Sequence, residues 1–373
     1  MVTSYYRPTK AIIHKERITY NVASALQKLP AGTELFAAVK AEGYGHGEIA
    51  TAQAAKKGGA TGFCVATLDE GIALRRAGFS EPVLVLGIVE PEFVLVALEE
   101  KISLTVATNE WLQAAATVLA DVETATELLL HIKVDSGMGR IGFAELPSLL
   151  TAVATIQNNT KMCWQGIFTH FATADSGDQA YWQQQVQLFS QWLQALPTLP
   201  RYVHTDNSAA LLFHEDQLGN MVRYGVGMYG LNPAGGELTP SLDLQPALEL
   251  VSKLVQVKKV PAGAFIGYGA TYQSQQAEWI GTVPIGYADG WLRKMQGFSL
   301  LVEGEFCEIV GRVCMDQLMI RLPKAYPLGT TVTLIGENGT QEITMQQVAE
   351  HLDTIHYEVA CLISSRIPRE YTE

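Results

Sequence analysis

Short apolar runs alternate with longer amphipathic stretches over the first two thirds of the chain. Between the runs lie stretches such as GEIATAQAAKKG, whose apolar residues are spaced three and four positions apart, as in amphipathic helices. Eight strands joined by helical crossovers predict a (β/α)₈ TIM barrel. The eight runs are ELFAAVK (34–40), FCVAT (63–67), PVLVLG (82–87), SLTVAT (103–108), LLLHIKVD (128–135), WQGIFTH (164–170), RYVHTDNS (201–208) and MVRYGVGMYG (221–230).

After residue 230 the pattern changes to turns and short alternating segments. NPAGGELTPSLDLQP contains three prolines and two glycines, and the apolar segments that follow lie between turn signals, which indicates an antiparallel β domain. MQQVAEHLDT predicts one short helix near the C-terminus. We therefore predict a barrel domain at 11–235 and a β-rich domain at 236–373 that includes the N-terminal residues 1–10.

Composition narrows the functional class. The 373 residues include 38 acidic and 26 basic side chains, a net charge of −12 that disfavours nucleic acid or an anionic membrane as partner. Five dispersed cysteines without a CxxC pair, and an N-terminus without a signal-peptide core, indicate a reduced cytoplasmic protein. The charged fraction of 17% is low beside the usual ~25%, which suggests that some surface is buried against another chain.

Polar groups collect where the predicted barrel strands end, the usual position of catalytic residues in such barrels. Lys40 ends the first run, Arg140 follows the fifth, and Arg223 lies in the eighth. Three cations at one mouth of an acidic protein indicate an anionic ligand. The sixth run ends at His170, and Asn207 and Ser208 follow the seventh, where they either bind phosphate or only cap a helix.

The segment AVKAEGYGHG (38–47) gives Lys40 a special setting. A lone lysine at a strand end is usually solvated or paired with an acid. Here a tyrosine and glycines follow it in a tight turn, so the amine can be desolvated and its pKa lowered for Schiff-base chemistry.

The sequence resembles the alanine racemase family, whose members are pyridoxal-phosphate enzymes with a barrel and a C-terminal β domain. The likeness runs nearly end to end, through AVKAEGYGHG, KVDSGMGRIGF, THFATAD, NMVRYGVGMYG, GYGATY, PIGYADGW and GRVCMDQ in the family's order. It implies interconversion of L- and D-alanine with pyridoxal 5'-phosphate, supply of D-alanine for peptidoglycan, and a homodimer with shared active sites.

The resemblance also implies individual roles. Lys40 would hold the cofactor as a Schiff base and act as base toward the D-enantiomer, and Tyr268, contributed by the other subunit, toward the L-enantiomer. Arg223 would face the pyridine nitrogen, which stays unprotonated because a guanidinium only donates hydrogen bonds. Further cofactor contacts are implied for Tyr44, Arg140, His170, Asn207, Ser208, Gly225 and Ser365, and substrate contacts for Arg140, Met315 and Tyr287.

Two positions leave alternatives open. Lys133 lies on a predicted barrel strand, and a buried ammonium is costly unless it is paired; the resemblance implies a carbamate there, and an ion pair with Asp135 is the simpler alternative. Ser365 stands in ISSR, where the family usually has tyrosine. The smaller side chain leaves room for a substrate larger than alanine, with serine the first candidate.

Other functional classes fit less well. Gly225, Gly227 and Gly230 form a GxGxxG, but no helix is predicted after it, which argues against a dinucleotide site. No HExxH, close HxH or CxxC supports a metal-dependent hydrolase. A non-enzymatic pyridoxal-phosphate carrier would lack the β domain. A decarboxylase of the same architecture is the nearest enzymatic alternative, but such enzymes tend to place an acid where this chain has Arg223.

Overall fold

The computed structural model describes residues 2–215 and 218–373, which divide into two compact units. The barrel unit comprises Arg17–Gly43 and Glu48–Pro246, and the β unit comprises Met1–Glu16, Tyr44–Gly47 and Ala247–Glu373. Strand β1 (Lys10–His14) opens the β unit. The predicted junction after residue 235 falls in the strand-free segment before Ala247.

Within the described residues, eight parallel strands close the barrel, and each overlaps one predicted run. The strands are short and buried, and the last pairs with the first in parallel register. The predicted TIM barrel is therefore confirmed. The strands are β2 (Glu34–Ala38), β3 (Gly62–Val65), β4 (Val83–Val85), β5 (Ser103–Val106), β6 (Leu128–Lys133), β7 (Met162–Phe168), β8 (Tyr202–His204) and β9 (Met221–Tyr224).

Amphipathic helices accompany these strands. In α7 the buried residues Trp182, Gln185, Phe189 and Trp192 recur at three- and four-residue spacing, so one face packs inward. The helices are α1 (Lys15–Lys28), α2 (Glu48–Lys57), α3 (Leu68–Arg76), α4 (Val94–Glu99), α5 (Asn109–Leu119), α6 (Leu146–Gln157), α7 (Ala180–Gln194) and α8 (Ser208–Phe213). No helix of the described residues is both long and apolar enough to cross a membrane.

The β unit is mostly antiparallel, as predicted. Its strands are β10 (Leu248–Lys253), β11 (Gln256–Val260), β12 (Phe265–Ile266), β13 (Tyr272–Gln273), β14 (Glu278–Val283), β15 (Ser299–Val302), β16 (Glu305–Glu308), β17 (Leu318–Leu322), β18 (Thr331–Asn338), β19 (Gln341–Ile343) and β20 (Arg369–Thr372). The largest sheet has the order β16-β15-β18-β10-β1-β20, with β19 paired to β18. Strands β11-β14-β17 form a second sheet, and β12-β13 form a hairpin. Helix α9 (Met345–Leu352) matches the predicted short helix, and α10 (His356–Leu362) follows it.

Candidate active site

Lys40 follows β2 by two residues and lies at the C-terminal mouth of the barrel. The chain then turns through an unusual left-handed segment in which Ala41, Glu42 and Gly43 have φ values of 52°, 55° and 59°. The Gly43 amide donates to the Val39 carbonyl at 2.8 Å and closes this turn. The lysine is thus held at the end of a buried strand.

Arg223 is a buried cation of the barrel unit's candidate site, with 5% of its surface exposed. Its NH2 donates to the carbonyls of Thr169 and Thr205, both at 2.9 Å, and approaches His170 Nδ1 at 3.3 Å. Its NH1 donates to His204 Nδ1 at 2.7 Å. Burial lowers the pKa of Arg223 to about 10, so the guanidinium still carries its charge at neutral pH.

The donor-only guanidinium fixes the direction of a buried hydrogen-bond chain. Because His204 accepts at Nδ1, its Nε2 must carry the hydrogen and donate to His131 Nδ1, which lies 2.8 Å away. His131 then donates from Nε2 to the side-chain oxygen of Gln165 at 3.1 Å. Burial lowers the pKa of His131 to about 4 and that of His204 well below 6.5, so both imidazoles are neutral.

His170 lies where the site's positive charges converge. Burial lowers its pKa first, and the charges of Arg223, Arg140, Lys133 and Lys40 lower it further. Within the described chain, no carboxylate forms an ion pair with Lys133, Arg140 or Arg223. The barrel mouth therefore has surplus positive charge, which suits a ligand with several negative charges.

Lys133 is buried on β6 without the Asp135 ion pair that sequence left as the simpler alternative, although both residues belong to the described chain. The Asp135 carboxylate instead accepts from the Gly137 and Gly139 amides at 3.1 and 3.0 Å and shapes the loop that carries Arg140. Lys133 Nζ donates to the Val134 carbonyl at 2.6 Å. Burial lowers its pKa to about 8.

A small cluster of donors lies between the ends of β8 and β9. The Ser208 hydroxyl oxygen accepts from the Gly225 and Gly227 amides at 2.9 and 3.2 Å, so both amides point at this oxygen and the hydroxyl hydrogen is left to donate elsewhere. Asn207 precedes them as the N-cap of α8, and its side-chain oxygen accepts from the Ala210 amide at 3.0 Å. The capping alternative for Asn207 is thus realised in the structure.

The β unit carries the remaining candidates. Backbone bonds join the segments of Tyr287 and Met315: the Tyr287 amide donates to the Cys314 carbonyl, and the Ala288 amide to the Met315 carbonyl, at 3.1 and 3.0 Å. Arg366, the neighbour of Ser365, donates to Asp316 at 2.8 Å, which connects the Ser365 segment to the same loop. Tyr44 also belongs to this unit, with its ring 6.3 Å from that of Tyr357.

Tyr268 lies on a 3₁₀ turn, Tyr268–Ala270, and borders an open groove of about 420 Å³ that Cys314 also lines. Its side chain is 71% exposed, and Met315 is 53% exposed. A Cβ on Gly269, which has φ of 72°, would lie 2.7 Å from NH1 of Arg312, so this turn packs closely on that arginine. In the single chain, these candidates of the β unit face solvent.

Sequence reasoning missed the buried partners of Arg223: His204, His131 and Gln165. A signal was available, because His131 lies two residues before Lys133 on β6 and therefore shares its face of the strand. A Cβ on Gly166 would collide with the His131 imidazole, so the glycine in WQGIFTH makes room for this ring. A buried arginine needs acceptors for its N–H groups, and this requirement points to a histidine on a neighbouring strand.

Comparison with known proteins covers both units. The family model for the alanine racemase N-terminal domain matches residues 13–233, and that for the C-terminal domain matches residues 247–371. Alanine racemase of Levilactobacillus brevis is 52% identical over 371 residues, with 100% of each chain covered.

Solved structures agree with these matches. The crystal structure of alanine racemase from E. faecalis has a TM-score of 0.98 and 56% identity, with 100% of both chains covered. Histidine racemase from Leuconostoc mesenteroides subsp. sake also matches over 100% of both chains, with a TM-score of 0.94 but only 32% identity. The chain therefore belongs to the alanine racemase family and is a racemase, one of the isomerases.

Proposed function

We propose that this racemase interconverts L- and D-alanine with pyridoxal 5'-phosphate, using Lys40 and Tyr268 as its two bases. The observation that carries the proposal is the surplus positive charge at the barrel mouth, where Arg223 lies 3.3 Å from His170 and no described carboxylate pairs with Lys133, Arg140 or Arg223. The alanine racemases of 52 and 56% identity favour alanine over histidine, whose racemase is more distant.

The residues present fit the cofactor. Its phosphate suits the Ser208 hydroxyl, whose oxygen the Gly225 and Gly227 amides hold in place, and the resemblance adds the Gly225 amide and the Tyr44 hydroxyl as phosphate donors. For the pyridine ring, Arg223 offers Nε, which donates to no described residue. Arg140 and His170 would lie beside the cofactor ring, and Asn207 would support the phosphate site as the N-cap of α8, which begins at Ser208. Once bound, pyridoxal phosphate acidifies the α-proton of an attached amino acid by delocalising electrons into its ring.

Racemisation then requires two groups that exchange the α-proton on opposite faces of the substrate. Lys40 Nζ accepts the proton of the D-enantiomer and Tyr268 Oη donates one to the opposite face; for the L-enantiomer Tyr268 Oη accepts and Lys40 Nζ donates. The Met315 amide donates to no described residue and is free to bind the substrate carboxylate, together with Arg140 and Tyr287.

Arg223 limits the reaction to proton exchange. Its hydrogen bond to neutral His204 fixes the guanidinium. A guanidinium only donates hydrogen bonds, so a pyridine nitrogen that faces it accepts a hydrogen bond and stays unprotonated. An unprotonated nitrogen withdraws electrons less strongly than a protonated one, so competing reactions such as transamination are suppressed. This feature also argues against the decarboxylase alternative.

Lys133 is suited to carbamylation. Its pKa of about 8 leaves part of the amine uncharged and able to react with CO₂, and the resulting anion would lie near Arg140 and Arg223. A carbamate there would orient the Arg140 side chain toward substrate and cofactor.

A homodimer with shared sites accounts for the exposure of Tyr268, Met315 and Phe265, since a second subunit would cover them. None of the five cysteines forms a disulfide within the described residues, which favours a reducing compartment such as the cytoplasm. D-Alanine made there would be used for peptidoglycan.

The test follows the circular dichroism signal of L-alanine after purified protein is added. We expect loss of optical activity, and a visible absorption band that borohydride abolishes. Lys40→Ala should remove both, whereas Lys57→Ala, at an exposed lysine of α2, should leave both unchanged. A wild-type protein that leaves L-alanine unracemised would overturn the proposal.

Serine is a second candidate substrate, supported by Ser365. This side chain is exposed and has no hydrogen-bond partner among the described residues. Ser365→Tyr should lower the ratio of kcat/KM for serine to kcat/KM for alanine by about tenfold. This is the order of discrimination that a pocket achieves between substrates differing by one small group. An unchanged ratio would reject the idea.

A further inference from the structure

The carboxylate of Glu70 joins two loops at the mouth of the barrel. One oxygen accepts from the Ala66 and Thr67 amides at 2.7 and 3.2 Å, in the loop after β3. The other oxygen accepts at 2.7 Å from the amide of Ala41, the residue directly after Lys40. Glu70 therefore connects the lysine-bearing turn to the neighbouring strand end.

Helix capping explains only half of this arrangement. Thr67 and Glu70 form a capping box at the start of α3, in which the Thr67 hydroxyl accepts from the Glu70 amide at 3.3 Å. A capping box uses one carboxylate oxygen and stays within one helix. The bond to Ala41 crosses to another loop and adds nothing to the cap.

The turn that Glu70 contacts needs support. Left-handed backbone is unfavourable for residues with a Cβ, and Ala41 and Glu42 both adopt it in succession. The turn is also confined from its other side, since a Cβ on Gly43 would lie 2.9 Å from Thr51 Oγ1. A released Ala41 amide would let this segment relax toward ordinary φ values and would redirect the side chain of Lys40.

We propose that Glu70 is a positioning residue that fixes the direction in which Lys40 leaves its strand. The proposal rests on the function assigned to Lys40 above. It requires a carboxylate, because three amides point at two oxygens. The amide of a glutamine would turn NH₂ toward at least one of these N–H donors.

The main test compares Glu70→Gln and Glu70→Ala with Thr67→Ala, which weakens the same cap without removing the acceptor of Ala41. Hydrogen exchange of the Ala41 amide in the cofactor-free protein should accelerate at least ~10-fold in both Glu70 variants and stay unchanged in Thr67→Ala. In the holoenzyme, kcat/KM should fall ~10- to 100-fold in the Glu70 variants only, as expected for a displaced catalytic group.

A second-site change distinguishes positioning from loss of stability. Ala41→Gly removes the steric penalty of left-handed backbone, so in the Glu70→Ala protein it should restore part of the lost kcat/KM, about threefold or more. It should not restore the midpoint of thermal unfolding, which the weakened cap of α3 lowers in Glu70→Ala.

Two outcomes would overturn the proposal: unchanged Ala41 exchange in Glu70→Ala, or an equal loss of kcat/KM in Thr67→Ala. Failure of the proposed function is a separate result, because it would appear as no racemisation of L-alanine by the wild type or as full activity in Lys40→Ala. The exchange measurement does not depend on catalysis.

Discussion

The two units present their candidate site residues in opposite ways. In the barrel unit, Arg223, Lys133 and Ser208 are buried, and hydrogen bonds from their own unit hold them. In the β unit, Tyr268 and Met315 are mostly exposed. The barrel's candidates are thus held within their own unit, whereas these two candidates of the β unit face solvent in the single chain.

The largest effect should come from mixing two inactive proteins. Lys40→Ala and Tyr268→Phe each remove one base and should each reduce alanine racemisation more than ~100-fold. If the two bases of a site come from different subunits, exchange of subunits should restore about a quarter of wild-type activity, since half of the dimers then have one intact site. No recovery on mixing, with subunit exchange shown by a tag, would mean that one chain supplies both bases.

The next effect compares one arginine in each unit. Arg223→Met leaves the acceptors at His204, Thr169 and Thr205 buried and unpaired, and should lower the free energy of unfolding by about 3 to 5 kcal/mol. Arg366→Met loses a partly exposed ion pair with Asp316 and a 3.5 Å contact with Asp289, whose carboxylate Arg7 still pairs at 2.6 Å, and should cost about 1 kcal/mol or less. Urea unfolding of the cofactor-free proteins measures both. Equal losses would contradict the view that the barrel unit alone has an internally bonded site.

A third effect is a dependence of stability on pH. The folded pKa of His131 is about 4, below its unfolded value near 6.5, so the unfolded chain binds protons first as pH falls. The contribution of His131 to the unfolding free energy should therefore be constant above pH 6.5 and decrease between pH 6.5 and 4, by on the order of 3 kcal/mol. His131→Gln should flatten the profile. His356 of the β unit, also lowered to about 4, provides the matched variant His356→Gln.

The smallest effect concerns two helix caps. Asn207→Ala in the barrel unit and Thr344→Ala in the β unit should each cost about 1 kcal/mol of stability. Only Asn207→Ala should also weaken cofactor binding, measured by fluorescence titration, because α8 carries Ser208. If neither variant changes the affinity for cofactor, Asn207 is only a cap, as its bond to Ala210 indicates.

The sequence predicts the fold well because barrel strands and helices differ in apolar period. All eight strands overlap the apolar runs, and the change of pattern after residue 230 precedes the β-rich part. The strand-end rule also brings Lys40 and Arg223 to one mouth. Among the described residues no ion pair joins Lys133 to Asp135, one of whose oxygens accepts from glycine amides two and four residues later, and the carbamate at Lys133 stays a prediction.

What the sequence could not predict depends on contacts between distant positions. The order of donors from Arg223 through His204 to His131 follows from atoms separated by many residues, and histidine in an apolar run looks like any core residue. The bond from Glu70 to Ala41 likewise joins two loops that no local pattern connects. The roles assigned to the individual site residues stay predictions.

The directed chain of Arg223, His204 and His131 has an electrostatic consequence. Each neutral imidazole points its lone pair toward the arginine and its N–H away, so the two ring dipoles align head to tail. They solvate the guanidinium much as ordered water would, without a counter-ion. A cation stabilised by dipoles rather than by a carboxylate keeps its full field for whatever binds at the mouth of the barrel.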